Sequence, residues 1–145
     1  MYVFRAGRTI LAFRNNVEYN GIMNILLVFV GGGLGAAARY LVQGAVYRLT
    51  GAAFPYGTIV VNIIGCFLIG LLMSSLEERF LASASLRVFL TIGILGGFTT
   101  FSSFSYETMV LVREGDLLAG GLNIIASVVI CLGATWLGLG LGRYV

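Results

Sequence analysis

Few residues in this chain have side chains able to do chemistry, and most of them stand inside apolar runs. Thr58, Asn62 and Gly65 fall at i, i+4 and i+7, one face of a helix. Asn123, Ser127, Cys131 and Thr135 follow one another at four-residue intervals, a narrow polar stripe at helical spacing. Glu107 is an acid within an apolar stretch, a functional candidate by default. Amides and hydroxyls in such surroundings must find partners or water. The Asn62 face is read either as a helix–helix hydrogen bond or as a pore-lining donor and acceptor. The stripe through Asn123 and Ser127 is read as facing water or an ion. Covalent chemistry is not suggested: there is no histidine, and no nucleophile stands with a base. Cys66 and Cys131 each sit deep in an apolar segment, which reads as small buried hydrophobes rather than a disulfide framework or a zinc site.

The run Gly96-Gly97-Phe98-Thr99-Thr100-Phe101-Ser102 is a poor sequence for continuous helix. A break here frees backbone carbonyls, which are natural ligands for a hard cation such as sodium at half-helix ends. Phe101, Phe104, Ser105 and Thr108 share a face after the break, with Glu107 offset from it. The positive edge of an aromatic ring can favour an anion without a full counter-charge.

The elements that position these residues are membrane spans. The chain is 59% hydrophobic and 10% charged over 145 residues, whereas soluble domains are nearer 25% charged. Four windows are long enough to span: about Asn24–Gly44, Tyr56–Leu76, Leu86–Val112 and Leu117–Leu141. The turn and charge signals Arg48-Leu49-Thr50-Gly51, Glu77-Glu78-Arg79 and Arg113-Glu114-Gly115-Asp116 fall between them, and Pro55 precedes the second, where its missing N–H costs nothing. Residues 1–22 carry Arg5, Arg8, Arg14 and Glu18 with no continuous apolar stretch. They are read as an extension preceding a domain of residues 23–145, with a translation start at Met23 favoured over an interfacial segment or a targeting peptide.

The first span brings Gly31, Gly32, Gly35 and Ala36, small residues at the four-residue spacing that lets helix backbones approach. Its one charge, Arg39, would cost about 2.5–3.5 kcal/mol at mid-bilayer. About a turn from the span's end, it is read as snorkelling or structurally paired. All nine basic residues are arginine and scattered, which argues against nucleic-acid binding. From Met23 onward, Arg79, Arg87 and Arg143 fall on one side of the membrane and Arg39, Arg48 and Arg113 on the other. With no bias to set orientation, the chain is expected to insert both ways and form an antiparallel dimer.

The runs Gly31-Gly32-Gly33-Leu34-Gly35-Ala36…Arg39-Tyr40, Gly57-Thr58…Val61-Asn62…Gly65 and Gly96-Gly97-Phe98-Thr99-Thr100-Phe101-Ser102-Ser103-Phe104-Ser105…Glu107 resemble the CrcB/Fluc fluoride channel family from about Met23 to the end. The resemblance implies a dual-topology homodimer in the cell inner membrane with two fluoride pores. It also implies a structural sodium held by the carbonyls of Gly96 and Thr99. Phe101 and Phe104 would line the pores, Asn62 would be the pore asparagine, and Glu107 and Thr108 polar groups on the exit path. Ser127 matches the usual serine; Asn123 stands where many members have tyrosine. Hydroxyl and amide donors at Asn62, Ser127, Thr108 and Thr58 would replace the water of a small, strongly hydrated anion. The lack of a basic residue in mid-pore would keep binding weak enough for release.

The expected architecture is therefore an all-α membrane protein with four transmembrane helices, the third broken mid-span, assembled as an antiparallel homodimer. The expected function is passive fluoride export. The rival reading, a small dimeric multidrug/proton exchanger, needs an acid in the first span, where there is none. A pure packing protein explains the glycines but neither the break nor the stripe.

Overall fold

The computed structural model describes residues 21–79 and 83–144, and everything described is helix or short connection. α1 runs Gly21–Thr50 and α2 Tyr56–Arg79. The third span is composite: α3 (Ala84–Arg87), a π-wound segment Val88–Leu95, α4 (Gly96–Phe98) and α5 (Phe101–Arg113). α6 runs Leu117–Gly142. Four of these stretches, Gly21–Thr50, Tyr56–Leu76, Ala84–Arg113 and Leu117–Gly142, are long and apolar enough to cross a membrane. The expected extension of residues 1–22 lies outside the described residues apart from Gly21 and Ile22, which begin α1. α1 also continues past the expected end at Gly44 to Thr50, because Gln43 and Tyr47 have partners within the protein.

Two connections use expected turn residues, whereas Glu77-Glu78-Arg79, expected between spans, form the last turn of α2. Gly51 (φ +78°) ends α1 and Gly115 (φ +88°) turns the chain between α5 and α6, left-handed conformations that strain any residue with a Cβ. Asp116 then caps α6, its carboxylate accepting from the Ala119 amide at 2.9 Å. Pro55 is buried before α2, and its carbonyl accepts from the Ile59 amide. Ser83 caps α3.

In lipid, apolar burial gives helices no reason to associate, so contact depends on how closely backbones can pack. Two seams show this. α2 lies along α6 through Gly70, Gly138 and Gly142: a Cβ on Gly138 would strike the Phe67 carbonyl, and one on Gly70 the Thr135 carbonyl. α1 lies along the third span through Gly31 and Gly35. A Cβ at Gly31 would come within 2.9 Å of Gly93 Cα and the Phe89 carbonyl, and one at Gly35 would overlap the Ile94 carbonyl. The glycine stripe of α1 has an idle position too, since a Cβ at Gly33 would meet no atom within 4 Å, whereas the Gly32 backbone closes on Gly97.

The π-wound stretch has no counterpart in the sequence expectations. It is rich in β-branched residues, Val88, Thr91, Ile92 and Ile94, and its extra residue per turn brings Thr91 and Leu95 to the same concave surface as Gly96 and Thr99. Gly35→Ala is expected to destabilise the protein by about 1–3 kcal/mol through forced displacement of the third span, while Gly33→Ala leaves stability nearly unchanged. Thermal melting in detergent measures both; equal behaviour of the two variants would contradict the seam.

Candidate ion pathway

Between α4 and α5 the backbone leaves the helical region. Thr99 adopts φ −83°, ψ 159° and Thr100 φ −152°, ψ 119°, both extended. Local chemistry accounts for each side. Thr99 ends the upstream turn, its amide and hydroxyl both reaching the Leu95 carbonyl at 3.0 Å. Thr100 starts the downstream helix as its N-cap, its hydroxyl accepting from the Ser103 amide at 3.2 Å. The peptide groups between them are held from a distance. Asn62 of α2 accepts from the Thr100 amide at 2.9 Å and donates to the Thr100 carbonyl at 3.0 Å. The Arg39 guanidinium of α1 donates to the Thr99 carbonyl at 3.3 Å. Gly65 gives Thr99 its space, because a Cβ there would overlap the threonine methyl.

Asn62 is thus bidentate to one residue's backbone, with a single amide N–H left over. Because the Thr100 amide turns to Asn62, the Gly96 carbonyl loses the donor four residues on that a continuous helix would supply. Gly96 is also exposed on the concave surface. Those two carbonyls, Gly96 and Thr99, are hard oxygen donors of the kind a sodium ion takes. Two from one chain are too few to enclose an ion.

Two polar clusters lie on the α5 side. In the first, Glu107 Oε1 accepts from the Thr58 hydroxyl at 2.8 Å and from the Tyr47 hydroxyl at 3.3 Å, and Thr58 accepts in turn from the Gln43 amide at 3.1 Å. In the second, the wholly buried Asn123 donates to Thr108 at 2.8 Å, and Thr108 donates to the Phe104 carbonyl at 2.7 Å. The hydroxyl protons of Thr58 and Thr108 are therefore directed at protein acceptors rather than into open space. Among the described residues, Glu107 Oε2, Asn123 Oδ1 and Ser127 Oγ are buried with no hydrogen-bond partner.

The two phenylalanines differ sharply. Phe104 is buried at 9% exposure, while Phe101 is 77% exposed, and their rings meet tilted at 5.3 Å between centroids. Both border an open concavity of about 480 Å³ whose rim runs through Asn62, Gly96, Thr99, Ser127 and Cys131. The structure thus gathers Asn62, Gly96, Thr99, Phe101, Phe104 and Ser127 around one hollow. Glu107, Thr108 and Asn123 lie outside that lining, and Gly31, Gly35 and Arg39 hold the third span from the far side. Along the fourth-span stripe the order changes at Thr135, which donates back to the Cys131 carbonyl at 3.1 Å.

Gln43 and Tyr47 were not among the expected site residues. A signal existed: Arg39, Gln43 and Tyr47 are spaced by four, a polar stripe on the first span that the prominent glycines on the same helix obscured.

Four apolar spans around buried amides, hydroxyls and a carboxylate define a multi-pass membrane protein with a polar interior. The chain belongs to the CrcB family: residues 26–139 match the family described as "CrcB-like protein, Camphor Resistance (CrcB)". It is 54% identical over 115 residues to the fluoride-specific ion channel FluC of Geobacter sulfurreducens, covering 79% of this chain and 93% of that one. The protein of the same name from Geotalea daltonii is 53% identical over 121 residues, 82% and 98% of the two chains. That from Coxiella burnetii is 47% identical over 122 residues, 83% and 98%.

Two substitutions separate holding the backbone from holding an ion. Asn62→Ala removes both bonds to Thr100 and is expected to cost about 2–3 kcal/mol in stability. Glu107→Gln keeps an acceptor oxygen for Thr58 and Tyr47 and is expected to melt within a few degrees of the parent. A reversed ranking in thermal melts would refute the geometry.

Proposed function

We propose that this chain is a fluoride channel of the inner membrane that lets the ion leave the cell down its gradient. The carrying observation is close identity, over nearly their full length, to relatives named as fluoride-specific channels. The polar interior suits that cargo. Fluoride is small, holds its water tightly and accepts hydrogen bonds strongly, so a pathway must offer N–H and O–H donors in place of water. The second N–H of Asn62 and the hydroxyl of Ser127, unpartnered among the described residues, border the concavity and would supply such donors. Phe104 and Phe101 offer ring edges, which are positive enough to favour an anion and too weak to trap it. The basic side chain next to the gathered residues, Arg39, is engaged with the Thr99 carbonyl. The Glu107 carboxylate is turned toward Thr58 and Tyr47. Asn123 and Thr108 extend the polar track beyond Phe104. A multidrug/proton exchanger is not favoured: α1 carries no acid to move a proton.

The channel is taken to be residues 23–145, working as an antiparallel homodimer. Three features support the dimer: the near-zero arginine bias, the 77% exposure of Phe101, and a concavity open on one side. A second copy would cover Phe101 and convert the open hollow into an enclosed path. The mid-span interruption at Thr99 and Thr100 would then face its counterpart. The Gly96 and Thr99 carbonyls of the two copies together would make four hard oxygen ligands for a sodium ion. Such an ion would supply fixed positive charge that ties the interrupted helices together.

Proteoliposomes loaded with fluoride should release it when the gradient is opened electrically, with chloride slower by about two orders of magnitude or more. Equal rates for the two anions, or no flux, would sink the assignment. Phe104→Ile and Phe101→Ile should each lower the fluoride rate several-fold. For the assembly, reporter fusions at the C-terminus should give signal on both sides of the membrane; one strict orientation would exclude the antiparallel dimer.

A further inference from the structure

The concavity contains a pair of groups that fluoride conduction does not use. Cys66 lies one turn beyond Asn62 on α2, and Cys131 one turn beyond Ser127 on α6. Both thiols line the same hollow, both are half-buried with an open side toward it, and both are reduced. They also stand at the same level of the α2–α6 seam: Gly70, four residues after Cys66, meets the carbonyl of Thr135, four residues after Cys131. That seam is held by backbone contact at Gly70 and Gly138, which fixes the distance between the two helices that carry the thiols. These are the only cysteines in the chain, and it has no histidine, so no imidazole competes for a metal. Hard cations gain little from sulfur, whereas soft monovalent ions such as copper(I) and silver(I) prefer thiolates and are content with two ligands in line.

We propose that Cys66 and Cys131 form a two-thiol binding site for a soft monovalent metal ion in the wall of the concavity, and that the bound ion obstructs anion passage. The binding step balances simply. Two S–H bonds break, two metal–sulfur bonds form, and both protons leave to water. Two thiolates and one monovalent cation leave a complex of net charge −1. It would sit one turn from Asn62 and Ser127, so it both fills space and repels fluoride. The obstruction rests on the channel function proposed above; the binding does not.

The probe is silver ion, added as nitrate in chloride-free buffer to the purified full-length protein. The expected result is one silver ion bound per chain with two protons released per ion, read by calorimetry in two buffers of different protonation enthalpy. Cys66→Ser and Cys131→Ser should each abolish the two-proton event. Two silver ions per chain, or one proton per ion, would mean that the thiols act separately and would overturn the site. In proteoliposomes, silver should lower the parent's fluoride efflux by about tenfold or more. The Cys66→Ser/Cys131→Ser variant should show the same efflux with and without silver. Persistent inhibition of that variant would overturn the obstruction. Absence of flux before silver is added would instead count against the channel reading, while the calorimetric proton count would still decide the metal site. That count is taken on the parent protein, so it holds even if a variant fails to fold.

Discussion

A peptide group released from its helix inside a bilayer has no water to turn to, and leaving it unsatisfied is expensive. The third span releases such groups where Thr99 and Thr100 run extended. The side chain of Asn62 answers that demand directly, accepting from the amide of Thr100 and donating to its carbonyl. A primary amide is suited to this because its donor and acceptor lie side by side in one plane, matching a residue in extended conformation. Arg39 does the same for the Thr99 carbonyl with a guanidinium that is thereby given a partner. Each group solves the other's problem: a polar side chain that lipid would reject meets a backbone that lipid would reject.

These bonds exist only because the helices stand close. Asn62 reaches Thr100 because Gly65, on the same helix, leaves room for Thr99. Arg39 reaches Thr99 because Gly31 and Gly35 let α1 lie against the backbone of the third span. In water the hydrophobic effect would draw such surfaces together; in lipid, close backbone packing and buried hydrogen bonds must do so. The glycines are therefore the condition for the extended segment rather than a separate packing motif.

The same economy of partners shapes the polar interior. Thr58 and Thr108 direct their protons to Glu107 and to the Phe104 carbonyl, while Ser127 keeps its hydroxyl without a partner among the described residues. In the proposed channel, donors committed to protein acceptors would hold the walls, and uncommitted donors would be left to meet the ion. A pathway for a strongly hydrated anion needs both, since a wall made only of free donors would collapse on itself or bind the ion too tightly to release it.

Much of this was legible in the residues alone. Apolar windows and turn residues determine four spans, because lipid tolerates only segments that satisfy their own backbone. Of the helix-poor pairs, Gly96-Gly97 stay helical and Thr99-Thr100 run extended, so local weakness narrowed the position without fixing it. The four-residue spacing of Asn123 and Ser127 places both on one face of α6, since spacing along a helix fixes the face; that both are buried comes from the packing. What partner each group takes was not legible. The sequence leaves Asn62 open between a structural bond and a pore donor; the tertiary structure gives it the Thr100 backbone and leaves one N–H over. It also engages the proton of Thr108, adds Gln43 and Tyr47 to the Glu107 cluster, winds Val88–Leu95 as a π segment and brings Cys66 and Cys131 to one cavity. All of these depend on the separation and rotation of helices far apart in the chain, quantities that residue spacing within one helix does not contain.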